Sequence, residues 1–479
     1  MPFLRRALAT LVLGVFACSS GQSTPPADAG AGGKGGSAPE AGPPPWKPGD
    51  VRPSVQKGAP RGLLDLRGLI HAHSVYSHDA CDEAPRDPVT DAVDEVCFDD
   101  FRRGICAVGH DFVMLTDHNE SFGRSDYPDT LLYRQDRGDT LIEREGKPVA
   151  SSLACPAGAV RPLVLAGTES GAMVVGLEGH VPGTVEERQA IYGDASAAAI
   201  EVMKAQGAVA ILQHTEDWSA EQIADLPVDG FEMYNLHANL MSSFAEVVEL
   251  LFKVNKPDEM PAPDLVLLPV FKEDPRYLAT WGSALAGGAR RVTTMATDCH
   301  RNVFPALLAD GERVDSYRRM MAWFSNHLLV RPAPDGSFDD RSLKDALRQG
   351  RLYGAFELMG YPVGFDYHAA SGGADREMGE EVSLAAGARL LVTRPAVDGL
   401  DPAAEAPRIV ARLLRAQQGG WEVVAEGEGD LDFSPTKVGV YRAEVRMTPR
   451  HLRGSLSSYA ALADKEFPWI YANAIYVVD

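Results

Sequence analysis

Basic residues are scarce in this chain. Against 67 Asp and Glu stand 46 Lys and Arg, a formal net charge of −21 over 479 residues. A surface this acidic repels a phosphate backbone, which argues against nucleic acid as a partner. Its simplest reading is solubility. Long apolar runs are missing too: past the N-terminus no stretch is long and apolar enough to cross a bilayer. No serine or cysteine stands in a recognisable nucleophile motif, which argues against chemistry through a covalent enzyme intermediate. Cysteines number 6 and histidines only 12, so their positions are informative. The remainder is ordinary for a globular protein, with 45% hydrophobic and 24% charged residues, and the length allows two or three domains with a substantial core.

The N-terminus reads as an export signal. Arg5 and Arg6 precede the apolar run Leu8 to Ala17, which ends at Cys18 and the small residues Ser19 and Ser20. "VFAC" (15–18) resembles a bacterial lipobox, so residues 1–18 are expected to be a signal peptide and Cys18 a lipid-carrying anchor; an ordinary secretory signal is the alternative. Residues 19–58 are Gly, Pro, Ala and Ser with little to bury, the composition of a disordered tether. Ser19 after the cysteine suggests an exported lipoprotein at the outer membrane, in the periplasm or at the cell surface. An exported chain meets oxidising conditions, and Cys81, Cys97, Cys106 and Cys155 offer two disulfides whose pairing the sequence leaves open. Cys299 reads as a small buried residue rather than a thiolate ligand.

Seven short apolar runs follow, at 69–73, 112–118, 162–169, 208–214, 230–235, 265–270 and 291–298. Most are continuous rather than alternating, as in strands buried on both faces of a parallel sheet. Helical segments lie between several of them, including 186–207, closing on Gly207, and 244–255. Repeated strand–helix–strand argues for a β/α barrel or a doubly wound sheet. The polar residues favour the barrel. His71 and His73, Asp117 and His118, Glu169, His214, Glu232, and Asp298 and His300 sit at the C-terminal ends of six runs. In a β/α barrel those ends meet at one mouth.

"LIHAHSVYSHDA" (69–80) gathers His71, His73 and His78. Two histidines two apart on a strand point the same way and can share one cation. "DCH" (298–300) repeats that geometry with a carboxylate, and Glu169 adds a carboxylate able to bridge two ions. This oxygen and nitrogen mix suits Zn, Mn or Fe. Asp117 is a candidate to orient a ligand, move a proton or cap a helix; Glu232, with Tyr234, Asn235 and His237, to line the pocket; Arg301 to bind an anionic substrate group or form a surface salt bridge. Residues 119–160 form a polar insertion, either a lid or a disulfide-pinned loop. His110, His327, His368 and His451 match no motif.

The ordered segments "HAHSVYSH", "LTDHN", "GTE", "LQH" and "TDCH" resemble those of the PHP (polymerase and histidinol phosphatase) superfamily. The resemblance implies a distorted (β/α)7 barrel, residues 59–370, holding two or three divalent metal ions. By motif, His71, His73 and Asp298 would hold one ion, with Glu169 bridging to a second completed by His180 and His214. His78, His118 and His300 would hold a third; His78 stands where many members have Asp, and Asp79 is adjacent. "SLKDALRQGRLYGAFE" (342–357) and "PWIYANAIYVVD" (468–479) are similar to the carbaryl-hydrolase-like (CehA/McbA) branch, with Ala474 in place of a proline. The amidohydrolase barrel also opens with His-x-His, but its carboxylated lysine and lone final Asp have no counterpart here. From about residue 371 short segments with regular turns suggest an antiparallel β-sandwich-like accessory domain, 371–479.

The resulting expectation is a metal-dependent hydrolase using metal-activated water, a phosphoesterase first, acting on an anionic small molecule. Carbamate, ester or amide hydrolysis is the alternative, and a non-enzymatic cell-surface binding lipoprotein the third reading. No protein partner is predicted.

Overall fold

Strand β1 (Leu64–Ile70) stops one residue before the first histidine of "HAH", because His71 turns to a left-handed φ of 73°. This computed structural model describes residues 44–52, 60–87 and 89–479. The expected signal segment 1–18 with Cys18, and residues 19–43 and 53–58 of the expected tether, lie outside the described residues. The described part of the tether is folded. Trp46 is 6% exposed, and its backbone N–H donates to Gly399 O at 2.8 Å. An indole is large enough to anchor a chain of otherwise small residues. Trp46–Asp479 forms one compact unit.

Six of the seven expected strands are present, as β2 (Phe112–Met114) and β3 (Asp117–His118), β6 (Leu163–Glu169), β8 (Val209–Leu212), β9 (Gly230–Asn235), β10 (Val292–Ala296) and β1 itself. The run 265–270 is not a strand. It forms two single 3-10 turns, Pro263–Leu265 and Leu268–Val270, each with proline in its first turn, a residue that denies a ladder its donor. The helical stretch after Gly183 is two helices, Val185–Tyr192 and Ala197–Lys204. Gly193 ends the first, and Ser196 caps the second through its hydroxyl.

β1 pairs in parallel with β2, and β2 and β3 in parallel with β6. Strand β7 (Met173–Leu177) lies antiparallel between β6 and β8; β8, β9 and β10 then run parallel. The sheet is therefore mixed. A parallel bridge joins Ala72 to Cys299, and Asp298 N–H donates to His71 O at 3.2 Å, so the loops after β10 and β1 are tied together. At "GTE" a side chain at Gly167 would put Cβ 2.3 Å from Val174 O and 2.4 Å from Leu115 O; only glycine lets β6 pack there.

Two apolar layers sandwich these strands. Leu163 and Leu165 share a strand face with Glu169. They join Leu66, Ile70, Met114, Val209 and Ile211 in one cluster, capped by Leu343 and Leu347 of the helix Asp340–Arg348. Burial of each such leucine contributes about 2 kcal/mol. The ligand-bearing strand ends thus stand on a packed floor.

On its other edge β1 pairs antiparallel with β11 (Ser325–Val330), and β11 with β12 (Leu352–Ala355). β12 pairs with the last strand, Phe467–Val478, and that with Gly439–Thr448, Arg408–Gln417 and Gly420–Gly427 in turn, all antiparallel. A separate four-stranded antiparallel sheet joins Ala374–Arg376, Asp366–Ser371, Arg389–Thr393 and Leu431–Phe433. The architecture is mixed α/β, a large central sheet with a later antiparallel one.

The insertion after β3 contains a hairpin, β4 (Thr140–Arg144) and β5 (Lys147–Ser152), which pairs with the start of β6 at Leu163 and Val164, away from Glu169. The disulfide Cys106–Cys155 fastens it to the helix Glu95–Val108, and Cys81–Cys97 fastens the loop after Asp79 to the same helix. Loops of 16 and 49 residues correspond to about 3 and about 4 kcal/mol in the chain-entropy account. No helix among the described residues is long and apolar enough to cross a membrane.

Candidate metal centre

Three strand ends deliver side chains to one point through the same backbone device. His71 after β1, His214 after β8 and Asp298 after β10 have φ of 73°, 49° and 53°. A left-handed non-glycine residue costs about 1–2 kcal/mol. Such strain gathers where side-chain direction matters more than backbone comfort.

The centre is a buried quartet. His71, His73, Glu169 and Asp298 are 0%, 1%, 4% and 6% exposed. His71 Nε2 lies 3.1 Å from Glu169 Oε2 and 3.3 Å from Asp298 Oδ1; His73 Nε2 lies 3.2 and 3.0 Å from the same two oxygens. Ligands bound at about 2.1 Å around one ion lie roughly 3.0–3.4 Å apart, so the quartet has the spacing of a coordination shell. His73 Nε2, though buried, makes no hydrogen bond among the described residues. That nitrogen points between the Glu169 and Asp298 oxygens, where an ion would sit. The residues fit a divalent ion.

Two smaller groups adjoin it: His73, Asp79 and His118, and His237, Asp298 and His300. Asp79 Oδ2 is 3.1 Å from His118 Nε2, and Oδ1 is 3.5 Å from His73 Nδ1. On the other side His214 Nε2 is 2.9 Å from Glu169 Oε1 and 3.6 Å from Asp298 Oδ2. Glu169, expected as a bridging group, does present one oxygen to each side.

Behind the ligands stand groups that hold them. Glu232, read from sequence as a pocket residue, is fully buried behind His71: His71 Nδ1 lies 2.5 Å from Glu232 Oε1, leaving Nε2 for the centre. Its other oxygen accepts from His214 N–H at 2.9 Å and Asn235 Nδ2 at 3.0 Å. Asp117 is no helix cap. It accepts from Ser74 N–H at 2.6 Å and Ser74 Oγ at 2.8 Å, fixing the loop that carries His73, and burial pushes its carboxyl up to about 6. Glu216, which the sequence reading passed over, faces His214 Nδ1 at 3.5 Å and accepts a hydrogen bond from the Tyr277 hydroxyl. Glu232→Gln is expected to lower metal affinity about 10–100-fold, the usual effect of loosening a ligand's carboxylate partner. Titration of the metal-free protein with Zn2+ against a competing chelator measures it, and an unchanged affinity would reduce Glu232 to a packing role.

Other expected site residues lie apart. His180 is held by Ser125 O at 2.9 Å and the Tyr192 hydroxyl at 3.1 Å, in a nest of Phe122, Tyr127 and Tyr192. It joins no ligand group, because the segment after β7 folds against the helix Asn119–Arg124. His78 is exposed and stacks on His118 at 4.6 Å, while its neighbour Asp79 turns inward. His300 faces His237 rather than His118, with ring centroids 5.4 Å apart. Arg301 forms a salt bridge with Asp100 of the helix Glu95–Val108. His110, His327 and His451 hydrogen-bond to Met321 O, Asp65 and Met359 O, and His368 Nδ1 lies 2.8 Å from Asp366 Oδ2. Cys299 is buried, and burial, reinforced by Asp298, pushes its thiol up to about 12. His237 and Asp79 are the functional candidates sequence motifs placed least well; Asp79 directly follows His78, and His237 lies two residues beyond Asn235.

Charge in the centre is lopsided. Burial works against the His71 imidazolium, but Glu169, Asp298 and Glu232 outweigh it and hold its pKa well above the ordinary value; Asp79 and Asp298 do the same for His73. His214 is raised to about 11, against burial, by Glu169 and Glu216. Glu169 and Asp298 are held well below the usual carboxylate range by the histidines despite burial. The buried carboxylates favour positive charge on the neighbouring imidazoles, and a divalent cation would supply that charge in place of the protons.

No protein-family model matches this chain, and neither curated proteins nor solved structures match it, so the chemistry rests on these residues.

Proposed function

We propose that this protein is a metal-dependent hydrolase of the PHP type, with phosphoesters as its leading substrate class. The observation that carries the reading is the quartet His71, His73, Glu169 and Asp298, buried and spaced as a coordination shell. The strand sequence β1–β2–β6–β7–β8–β9–β10, with the Ala72–Cys299 bridge between its ends, supports a distorted seven-stranded barrel whose mouth collects these residues.

His71, His73, Glu169 and Asp298 would hold one ion, with His214 on Glu169's second oxygen, and Asp79 and His118 beside them. Bound divalent ions of the Zn, Mn or Fe type supply a Lewis acid that makes water nucleophilic near neutral pH and offsets charge developing on the substrate. The chain's part is positional. Glu232 and Glu216 aim imidazoles, Asp117 and Ser74 fix the His73 loop, and the packed floor keeps bulk water away from the ligands. Asp117, raised by burial to about 6, is still largely ionised at neutral pH and accepts from Ser74 on both oxygens.

One observation favours the second reading, hydrolysis of a carbamate, ester or amide. Arg301, the side chain expected to grip an anionic group, is engaged by Asp100. The full chain, purified without chelator and assayed for metal, should be offered an aryl phosphate diester and an aryl carbamate in parallel. Turnover of the diester supports the leading reading, and turnover of the carbamate alone the second. Bound metal with neither activity would leave only the binding-protein alternative.

The lipobox-like "VFAC" and the two disulfides support an exported lipoprotein anchored through Cys18 at the outer membrane or cell surface. Palmitate labelling of the full chain, abolished in Cys18→Ala, tests the anchor; label kept in that variant refutes it.

A further inference from the structure

The two central carboxylates are split, oxygen by oxygen, between two pairs of histidines. Glu169 Oε2 and Asp298 Oδ1 face His71 and His73. Glu169 Oε1 faces His214 Nε2 at 2.9 Å, and Asp298 Oδ2 faces His214 Nε2 at 3.6 Å and His237 Nδ1 at 3.2 Å. Asp298 thus turns its second oxygen to both His214 and His237, and Glu169 its second oxygen to His214; carboxylates placed so have the form of bridging ligands between two cations. The second imidazole pair is therefore His214 and His237.

The chain holds His237 in place. It is the second residue after β9, in the first turn of the helix Leu236–Ser242, whose Asn235 cap accepts from Ala238 N–H at 3.0 Å. Asn235 also donates to Glu232, the carboxylate behind His71, so one strand end supports both sides. The His237 ring lies 6.3 Å from that of His214 and 5.4 Å from that of His300. Its side chain is 38% exposed, so it borders the solvent side of the centre, where a substrate would enter. His180, the alternative by sequence, has both ring nitrogens committed to Ser125 O and the Tyr192 hydroxyl.

The geometry points to a second cation seat built from Glu169 Oε1, Asp298 Oδ2, His214 and His237, with His237 and not His180 as its outer ligand. This rests on the metal-site reading above and deepens it by naming a ligand that the motifs did not.

Full-length protein stripped of metal and reloaded with Co2+ provides the test, read as Co2+ per chain and as the visible d–d spectrum. Wild type is expected to take up at least two ions. His237→Ala is expected to lose one ion and the corresponding bands while keeping the His71–His73 seat, with its far-UV circular dichroism unchanged. His237→Asp, which restores an oxygen ligand, is expected to regain the ion with altered bands. His180→Ala is expected to keep the full count. Retention of every ion in His237→Ala, or loss of one in His180→Ala, overturns the assignment while leaving the first seat standing. Failure of wild type to bind Co2+ at all overturns both this assignment and the metal-site reading.

Discussion

On the proposed reading, Glu169→Ala is expected to bind less metal than wild type and to lose any hydrolysis by at least about 10^3-fold, the scale of removing one preorganised charge from a buried site. The substitution takes a ligand from both sides at once. Oε2 stands 3.1 and 3.2 Å from the Nε2 atoms of His71 and His73, and Oε1 stands 2.9 Å from His214 Nε2. Neighbouring carboxylates cannot substitute, because Asp298 already uses both oxygens and Glu232 is turned to the far nitrogen of His71. The fold should survive, since Leu163 and Leu165 anchor β6 from below. Metal content and turnover measured on the same sample decide the matter. A variant that keeps wild-type metal and rate would remove Glu169, and with it the proposed centre, from the chemistry.

The second large effect is on stability. In metal-free protein the gap to the metal-loaded form should widen as pH rises from about 6.5 toward 11. The sign follows from the histidines. His71, His73 and His214 have folded-state pKa values raised above 6.5, His214 to about 11. The stability their ion pairs contribute is complete below 6.5 and is lost as pH climbs through the raised values. What remains is two buried carboxylates, Glu169 and Asp298, without counter-charge. With a divalent ion bound, the histidines are already neutral ligands and the carboxylates are compensated, so little is lost over the same range. Each proton displaced by metal adds about 1.4 kcal/mol per pH unit to the gap. Free metal at about 100 times Kd contributes roughly 2.7 kcal/mol at the reference pH. Thermal unfolding with Zn2+ and with chelator at pH 6.5, 8 and 9.5 measures the trend. A gap that stays constant or narrows would mean that the histidines are not protonated in the metal-free centre.

Much of the strand framework was legible because buried strands announce themselves by composition. β6, β9 and β10 lie within a residue or two of their apolar runs. The run 265–270 misled for the opposite reason: its apolar content is real, but Pro263 and Pro269 remove the donors a strand needs, and the segment buries itself as turns. β7 was missed because "MVVGL" is five residues long and follows β6 after a three-residue turn, too short a signal to separate from its neighbour.

The candidate centre divides in the same way. His71, His73, Glu169, His214 and Asp298 were legible from spacing and strand-end position, features that depend only on the two-residue period of a strand. The inward turn of Asp79, the approach of His237 to Asp298, the withdrawal of His180 and the position of Glu232 behind His71 were not. Each depends on which way a side chain turns after its strand has ended, where loop geometry rather than any period sets direction.

Local pattern alone puts imidazoles and carboxylates at the strand ends, which makes a nitrogen-and-oxygen cation site the chemistry to expect. Which oxygen faces which imidazole, which cysteines pair and that Arg301 meets Asp100 follow only from the folded chain. Those outcomes are set by contacts between segments tens to hundreds of residues apart, and no local pattern encodes them.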